Sequence, residues 1–368
     1  MSTYTDSGTA SARCFIVPPY LLDHIANLNN PRLEHASNAA QRALASGPPF
    51  RSVRSGEPAP PQQTMRSSGE AATQQAEPGS PFRIISDAEN TETLPGRLVR
   101  SEGEPPTDDE SVTEAYDGLG DTYSLFWEAF TRDSIDGNGI PLAATVHYGE
   151  AYDNAFWDGT QMVFGDGDGQ IFVGFTNSLS VIGHELAHGV TQYTANLVYQ
   201  GQPGALNESV SDVFGALVEQ HSQGQSATEA SWLIGEGIFS DEVEGQALRS
   251  MKAPGTAYDD DVLGKDPQPA DMSGYIETDD DNGGVHLNSG IPNRAFYLAA
   301  TAIGGNAWEA PGQIWYETLT SEIKANTNFE QFADATITVA SRLFGNESRE
   351  AEAVRSAWQT VGVTAQPE

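Results

Sequence analysis

The chain has 368 residues, room for two packed cores and an accessory segment. Its 52 acidic and 18 basic residues give a formal charge of -34, scattered along the chain, and nucleic acid is excluded as a partner because phosphate binding needs a basic footprint. The single cysteine, Cys14, rules out an internal disulfide framework and any multi-cysteine metal site, so metal ligands must come from His and carboxylates.

Residues 1–50 read as a small helical unit, with Leu21, Leu22, Ile25 and Leu28 spaced for one apolar face after Pro18-Pro19 fixes an extended approach. Residues 51–82 shift to Ser, Gly, Pro, Gln and Glu, which cannot offset their ordering entropy; a flexible, cleavable linker is expected there. Residues 83–177 form a β-rich lobe in this reading. Ile84-Ile85 and Leu98-Val99 flank a Pro95-Gly96 turn as a hairpin, Ser111 or Thr113 caps a helix through Phe130, and LAATVHYG, NAFWDGTQMVFGDGDG and QIFVGF pattern as strands. Residues 178–368 are mainly helical, giving an α+β protein of two lobes without internal repeats.

No run reaches the roughly 18 apolar residues of a spanning helix, and the opening MSTYTDSGTASARCFIVPPY lacks a basic n-region leading into an apolar h-region. The expectation is a protein without a membrane partner, extracellular by a route with no visible Sec signal; a cytoplasmic precursor is the alternative. Lysine is confined to Lys252, Lys265 and Lys324. Such an acidic surface suits high salt, where self-repulsion is screened, and equally suits solubility alone.

The chemistry centres on SVIGHELAHGVTQ followed by GALNESVSD. On a helix packed through Val181, Ile182, Leu186 and Val190, with Gly183 and Gly189 allowing close approach, His184 and His188 leave one face and can grip one ion. Glu185, rotated by about 100°, suits a base beside the metal's water. Glu208, on the next helix after a GQPG turn, supplies a third ligand, and Asp212 an acceptor for the free ring N–H of His184, with Asn207 beside them. Two His and one Glu leave the fourth position of a tetrahedral zinc open, the arrangement of a catalytic site. Zinc brings a bound water's pKa to about 7, within reach of a carboxylate base. Tyr199 and His286 are candidate oxyanion donors, the latter in a glycine-rich loop with Asp281 placed to hold its imidazole. His24, His35, His147 and His221 have no comparable partners.

Together NAFWDGTQMVFGDGDG, HELAHGVTQYTANLVYQ, GALNESVSDVFG, LRSM and DNGGVHLNSGIPN make the sequence resemble the thermolysin family of zinc metallopeptidases from about Leu94 to Val363. The resemblance implies one catalytic Zn2+ on His184, His188 and Glu208, with Glu185, Tyr199, His286 and Asp281 as catalytic residues. It also implies that Asn154, Ala155, Trp157 and Arg249 bind substrate backbone, and that Phe172, Phe175, Val181, Ile234, Ile238 and Leu248 line an apolar pocket for the residue after the scissile bond. Ser180, Ser231 and Leu233 stand where relatives carry carboxylates of a calcium pair, so that site is expected to be absent although Glu219 and Glu236 remain. CFIVPPYLLDHI resembles the short propeptide of the protealysin-like subgroup. That implies a latent precursor, processed between about Arg51 and Arg83, with Pro18, Pro19 and Tyr20 in the primed subsites. Protein or peptide substrates, the chain's own propeptide as cleft partner, and a monomer complete the expectation. An exopeptidase, or a binding module that keeps zinc structurally, stands as the alternative.

Overall fold

The structure, a computed structural model, describes residues 14–46 and 77–363. The stretch 47–76, which holds most of the expected linker and its cleavage region, lies outside the described residues.

The N-terminal segment contributes strand β1 (Cys14–Phe15) and helices α1 (Pro19–Ala26) and α2 (Glu34–Ser46). Pro18 is extended (φ -63, ψ 144) and Pro19 opens α1, where a missing N–H costs no helical hydrogen bond. Leu21, Leu22 and Ile25 are buried, and Ile16 and Val17 are fully so. This segment has no separate core, because those side chains join the protein's main hydrophobic cluster.

Six strands form one sheet in the order β1-β5-β6-β4-β2-β3, with β2 at Arg83–Asp87, β3 at Arg97–Ser101, β4 at Leu142–Val146, β5 at Ala155–Trp157 and β6 at Met162–Phe164. β2 and β3 make the hairpin expected around Pro95-Gly96, and β5 and β6 are also antiparallel. β4 runs parallel to both neighbours and is almost wholly buried. QIFVGF forms no strand; only an isolated bridge joins Phe172 to Phe239. Helix α3 (Glu110–Phe130) covers the sheet with Ala115, Leu119, Tyr123 and Phe126. Its cap is Asp109, whose carboxylate accepts the Val112 amide at 3.2 Å, not Ser111 or Thr113, which lie inside the helix.

Beyond the sheet the chain is mainly helical: α4 (Leu179–Gln192), α5 (Gly201–Gln223), α6 (Asp281–Asn288), α7 (Gly290–Ile303), α8 (Ala310–Glu317), α9 (Phe329–Phe344) and α10 (Arg349–Thr360). Two short ladders, β7 (Leu233–Ile234) with β8 (Arg249–Ser250) and β9 (Asp259–Asp260) with β10 (Gly264–Lys265), pin the loops between α5 and α6. The architecture is α+β, a β-rich lobe and a helical lobe with α4 between them. GQPG is not the turn between α4 and α5. Gly201 takes φ +55 and Pro203 falls in the first turn of α5, where it needs no intrahelical N–H; residues 193–200 make the connection. No described helix is long and apolar enough to cross a membrane.

Candidate active site

α4 and α5 pack tightly because glycines meet at their crossing. A Cβ on Gly183 would lie 3.0 Å from the Gly215 Cα, and one on Gly215 would lie 2.4 Å from the Ser180 carbonyl oxygen. That contact brings His184 and His188 on α4 against Glu208 on α5, all buried. The His184 and His188 Nε2 atoms are 3.0 Å apart, and Glu208 oxygens lie 3.6 Å and 3.5 Å from them respectively.

The hydrogen-bond partners of the two rings fix where their protons sit. His184 Nδ1 is 2.7 Å from Asp212 Oδ1, an acceptor only, so His184 must donate there and its Nε2 presents a lone pair. His188 Nδ1 meets Asn207 Oδ1 at 2.8 Å, and the Asn207 amide is oriented by donating to the Leu197 carbonyl, so the second Nε2 also presents a lone pair. Glu208 Oε2 has no hydrogen-bond partner. Three lone-pair donors facing one point need a cation. Zn–N distances of about 2.05 Å give tetrahedral ligand-to-ligand edges of about 3.3 Å, close to the observed spacing. Burial also lowers both histidines to about 4, keeping them neutral, as ligation requires. The residues present fit zinc.

Around this point the remaining expected residues converge. Glu185 is fully buried; one oxygen accepts the Trp157 amide at 2.8 Å and the other has no partner. Burial, and then the charge of Glu208, push its carboxyl well above the ordinary range. His286 lies in α6, not in a loop, although Asn282, Gly283 and Gly284 before it are non-helical. Asp281 bonds both the His286 amide (2.8 Å) and Nδ1 (2.6 Å). Burial alone lowers the imidazole's pKa, but the charges of Asp281 and Glu208 outweigh it and leave it at about 9. The ring is therefore protonated at neutral pH and its Nε2 donates. The Tyr199 hydroxyl donates to Glu208 and lies 3.3 Å from that nitrogen.

Arg249 is completely buried and forks onto both Asp212 oxygens at 2.9 and 2.8 Å. That pairing holds Asp212 well below the usual carboxylate range against the opposing effect of burial. Asp212 thus links the His184 ring to Arg249, a connection the sequence did not show. Also unforeseen are Asn293, which donates to Asp212 Oδ2 at 2.8 Å, Ser211, 3.1 Å from His188 Nδ1, and Gln268, which donates to the His286 carbonyl. Asn293 closes the DNGGVHLNSGIPN motif, and that was its only signal.

Phe172, Phe175, Val181, Ile234, Ile238 and Leu248 are buried in the common cluster, with the Phe172 and Phe175 rings 5.5 Å apart and the Leu248 amide on the Ile234 carbonyl. Among the residues weighed for a calcium pair, the Ser180 hydroxyl accepts the Gly235 amide at 3.1 Å, and burial with the nearby charge of Glu236 raises the Glu219 carboxyl.

The N-terminal segment reaches this centre, and its backbone contacts there begin ahead of the expected Pro18, Pro19 and Tyr20. Its hydrogen bonds to Asn154 and Arg249 come from Ile16 and Val17, upstream of Pro18, Pro19 and Tyr20, which turn into α1. Prolines have no N–H to give to such a ladder.

Two family models cover the described site. One, for the thermolysin metallopeptidase catalytic domain, matches residues 64–192, and the other, for the thermolysin metallopeptidase alpha-helical domain, matches residues 195–363. The chain belongs to the thermolysin family of metallopeptidases. Within this family, an extracellular metalloprotease of Pectobacterium carotovorum subsp. carotovorum is 48% identical over 356 residues, covering 96% of this chain and 98% of that protein. Protease PrtS of a Photorhabdus species is 50% identical over 289 residues, 78% of this chain and 77% of that one. The solved precursor of protealysin from Serratia proteamaculans superposes with a TM-score of 0.84 at 49% identity, covering 95% of this chain and all of that one. The chain is accordingly a thermolysin-like zinc metalloendopeptidase of the protealysin-like kind.

Proposed function

We propose that the chain is an extracellular endopeptidase precursor that hydrolyses internal peptide bonds with Glu185 as general base and prefers a bulky hydrophobic residue after the scissile bond. His184, His188 and Glu208 hold the metal. Zinc, when bound, acidifies a water and polarises the carbonyl to be attacked. Glu185 takes the water's proton through the oxygen that has no other partner, while the Trp157 amide fixes the opposite oxygen. His286, kept protonated by Asp281, and Tyr199 donate to the oxygen on which negative charge develops. Asn154, Ala155 and Arg249 align the substrate backbone, and the apolar group from Phe172 to Leu248 forms the pocket that sets preference.

Residues 1–50 keep the enzyme latent, with Ile16 and Val17 on the backbone binders and Pro18, Pro19 and Tyr20 in the primed subsites that follow. Residues 51–82 are the linker whose cleavage frees the lobes 83–177 and 178–368. The calcium pair of relatives is absent and the protein is a monomer. The observation that carries the reading is the meeting of three lone-pair ligands beside the unpaired Glu185 oxygen. Casein digestion by the processed chain, with and without a zinc chelator and beside Glu185→Ala, tests it. Chelator-insensitive digestion, or a fully active Glu185→Ala chain, counts against it.

A further inference from the structure

The strand in the cleft has a direction and a register that go beyond obstruction. β1 runs antiparallel to β5, with Cys14 opposite Trp157 and Phe15 opposite Phe156. The Ile16 amide donates to the Ala155 carbonyl at 3.1 Å. Arg249 Nη1 donates to the Ile16 carbonyl at 2.9 Å, and Asn154 takes the Val17 amide at 3.0 Å and gives to its carbonyl at 3.3 Å. These four bonds align backbone without acting on it chemically. One carbonyl is treated differently: the Phe15 oxygen lies 2.9 Å from His286 Nε2, on a ring whose Nδ1 Asp281 holds at 2.6 Å, with the Tyr199 hydroxyl 3.3 Å from the same Nε2. The residue that follows, Ile16, is apolar and fully buried.

We propose that the segment is bound as a substrate and that Phe15–Ile16 is the bond it presents, a self-processing site inside the inhibitory segment. The inference rests on the peptidase reading above. Water adds to the Phe15 carbonyl carbon and gives its proton to Glu185. The C–N bond then breaks with its electron pair going to the Ile16 nitrogen, which takes that proton from Glu185; the second proton of the water passes from the new Phe15 carboxyl to the same nitrogen, leaving Phe15 a carboxylate and Ile16 an ammonium. The cut does not open the cleft. Residues 16–46 stay docked through buried Leu21, Leu22 and Ile25, and Gln170 bonds the Arg32 carbonyl at 2.9 Å and the Ala36 amide at 3.1 Å. Latency then persists until the linker is cleaved.

The test follows the zinc-loaded full chain by intact mass and N-terminal sequencing at two protein concentrations tenfold apart. Chains beginning at Ile16 are expected to accumulate at the same first-order rate in both, and at least ~100-fold more slowly in Glu185→Gln. In that variant, residue-resolved amide exchange reads the register without turnover. Ile16 and Val17 amides are expected to exchange at least ~100-fold more slowly than free peptide. A rate proportional to concentration places the cut in trans and overturns the proposal, as does rapid exchange at Ile16 and Val17. If Phe15–Ile16 stays intact while the same preparation digests casein after limited trypsin treatment, the proposal fails and the peptidase reading stands. If neither Phe15–Ile16 nor casein is cut, both fail.

Discussion

Gly215→Ala is the most revealing small perturbation of this protein, because it adds one methyl group far from solvent and replaces none of the proposed ligand side chains. The new Cβ would sit 2.4 Å from the Ser180 carbonyl oxygen and 3.0 Å from the His184 amide nitrogen, both backbone atoms that cannot rotate away. A comfortable carbon-to-oxygen contact is about 3.3 Å, so α4 and α5 must part by roughly 1 Å at the point where they bring His184 and His188 to Glu208. Metal–ligand distances tolerate only about 0.2 Å. Overpacking of this kind costs about 1–3 kcal/mol, and zinc affinity is expected to fall about 10- to 100-fold, the range seen when ligand orientation is disturbed. Competition with a chromophoric chelator gives the affinity, and thermal melts with and without zinc give the stability. An alanine variant that binds zinc within twofold of wild type and melts at the same temperature would refute the claim that this helix contact sets the ligand triangle.

Asp281→Asn should leave zinc content near wild type but lower kcat about 10- to 100-fold with little change in KM, because His286 loses the charge that keeps it a donor; unchanged kcat counts against that role. His147 lies between Asp166 and Asp109, each at 2.9 Å, and its hydrogen bond to Asp166 raises it to about 9. A pKa raised above the unfolded value of about 6.5 means its stabilisation is complete below pH 6.5 and is lost as pH rises through 9. Relative to His147→Gln, the wild type should lose about 1 kcal/mol between those limits once screening of the half-exposed aspartates is allowed for. Parallel melting curves from pH 6 to 10 would remove this term. With zinc held constant, added calcium is expected to move Tm by less than about 1 °C, and a rise of several degrees would restore a calcium site around Glu219 and Glu236.

The zinc helix was legible because its information is local: His184 and His188 sit four residues apart among apolar neighbours, and Glu208 with Asp212 repeats that spacing on α5. Pairings across long separations were not legible. Arg249 reaches Asp212 from 37 residues away and His147 reaches Asp109 from 38, and no periodicity announces either. β1 is two residues long and exists only because β5 lies beside it, so the part that Ile16 and Val17 play ahead of Pro18-Pro19-Tyr20 was not legible. GQPG reads as a turn by composition, yet proline belongs equally to the first helical turn, and position alone could not decide between them. The α3 cap was misassigned for a similar reason, since Asp109, Ser111 and Thr113 are all competent caps within one turn.

His184, His188 and Glu208 are expected to share one zinc ion. Zinc content of the purified chain and of His184→Ala, His188→Ala and Glu208→Ala, each checked for folding by circular dichroism, tests it most directly. About one zinc per wild-type chain, falling close to zero in each folded variant, is the expected result; a wild-type stoichiometry retained by any of the three would contradict it.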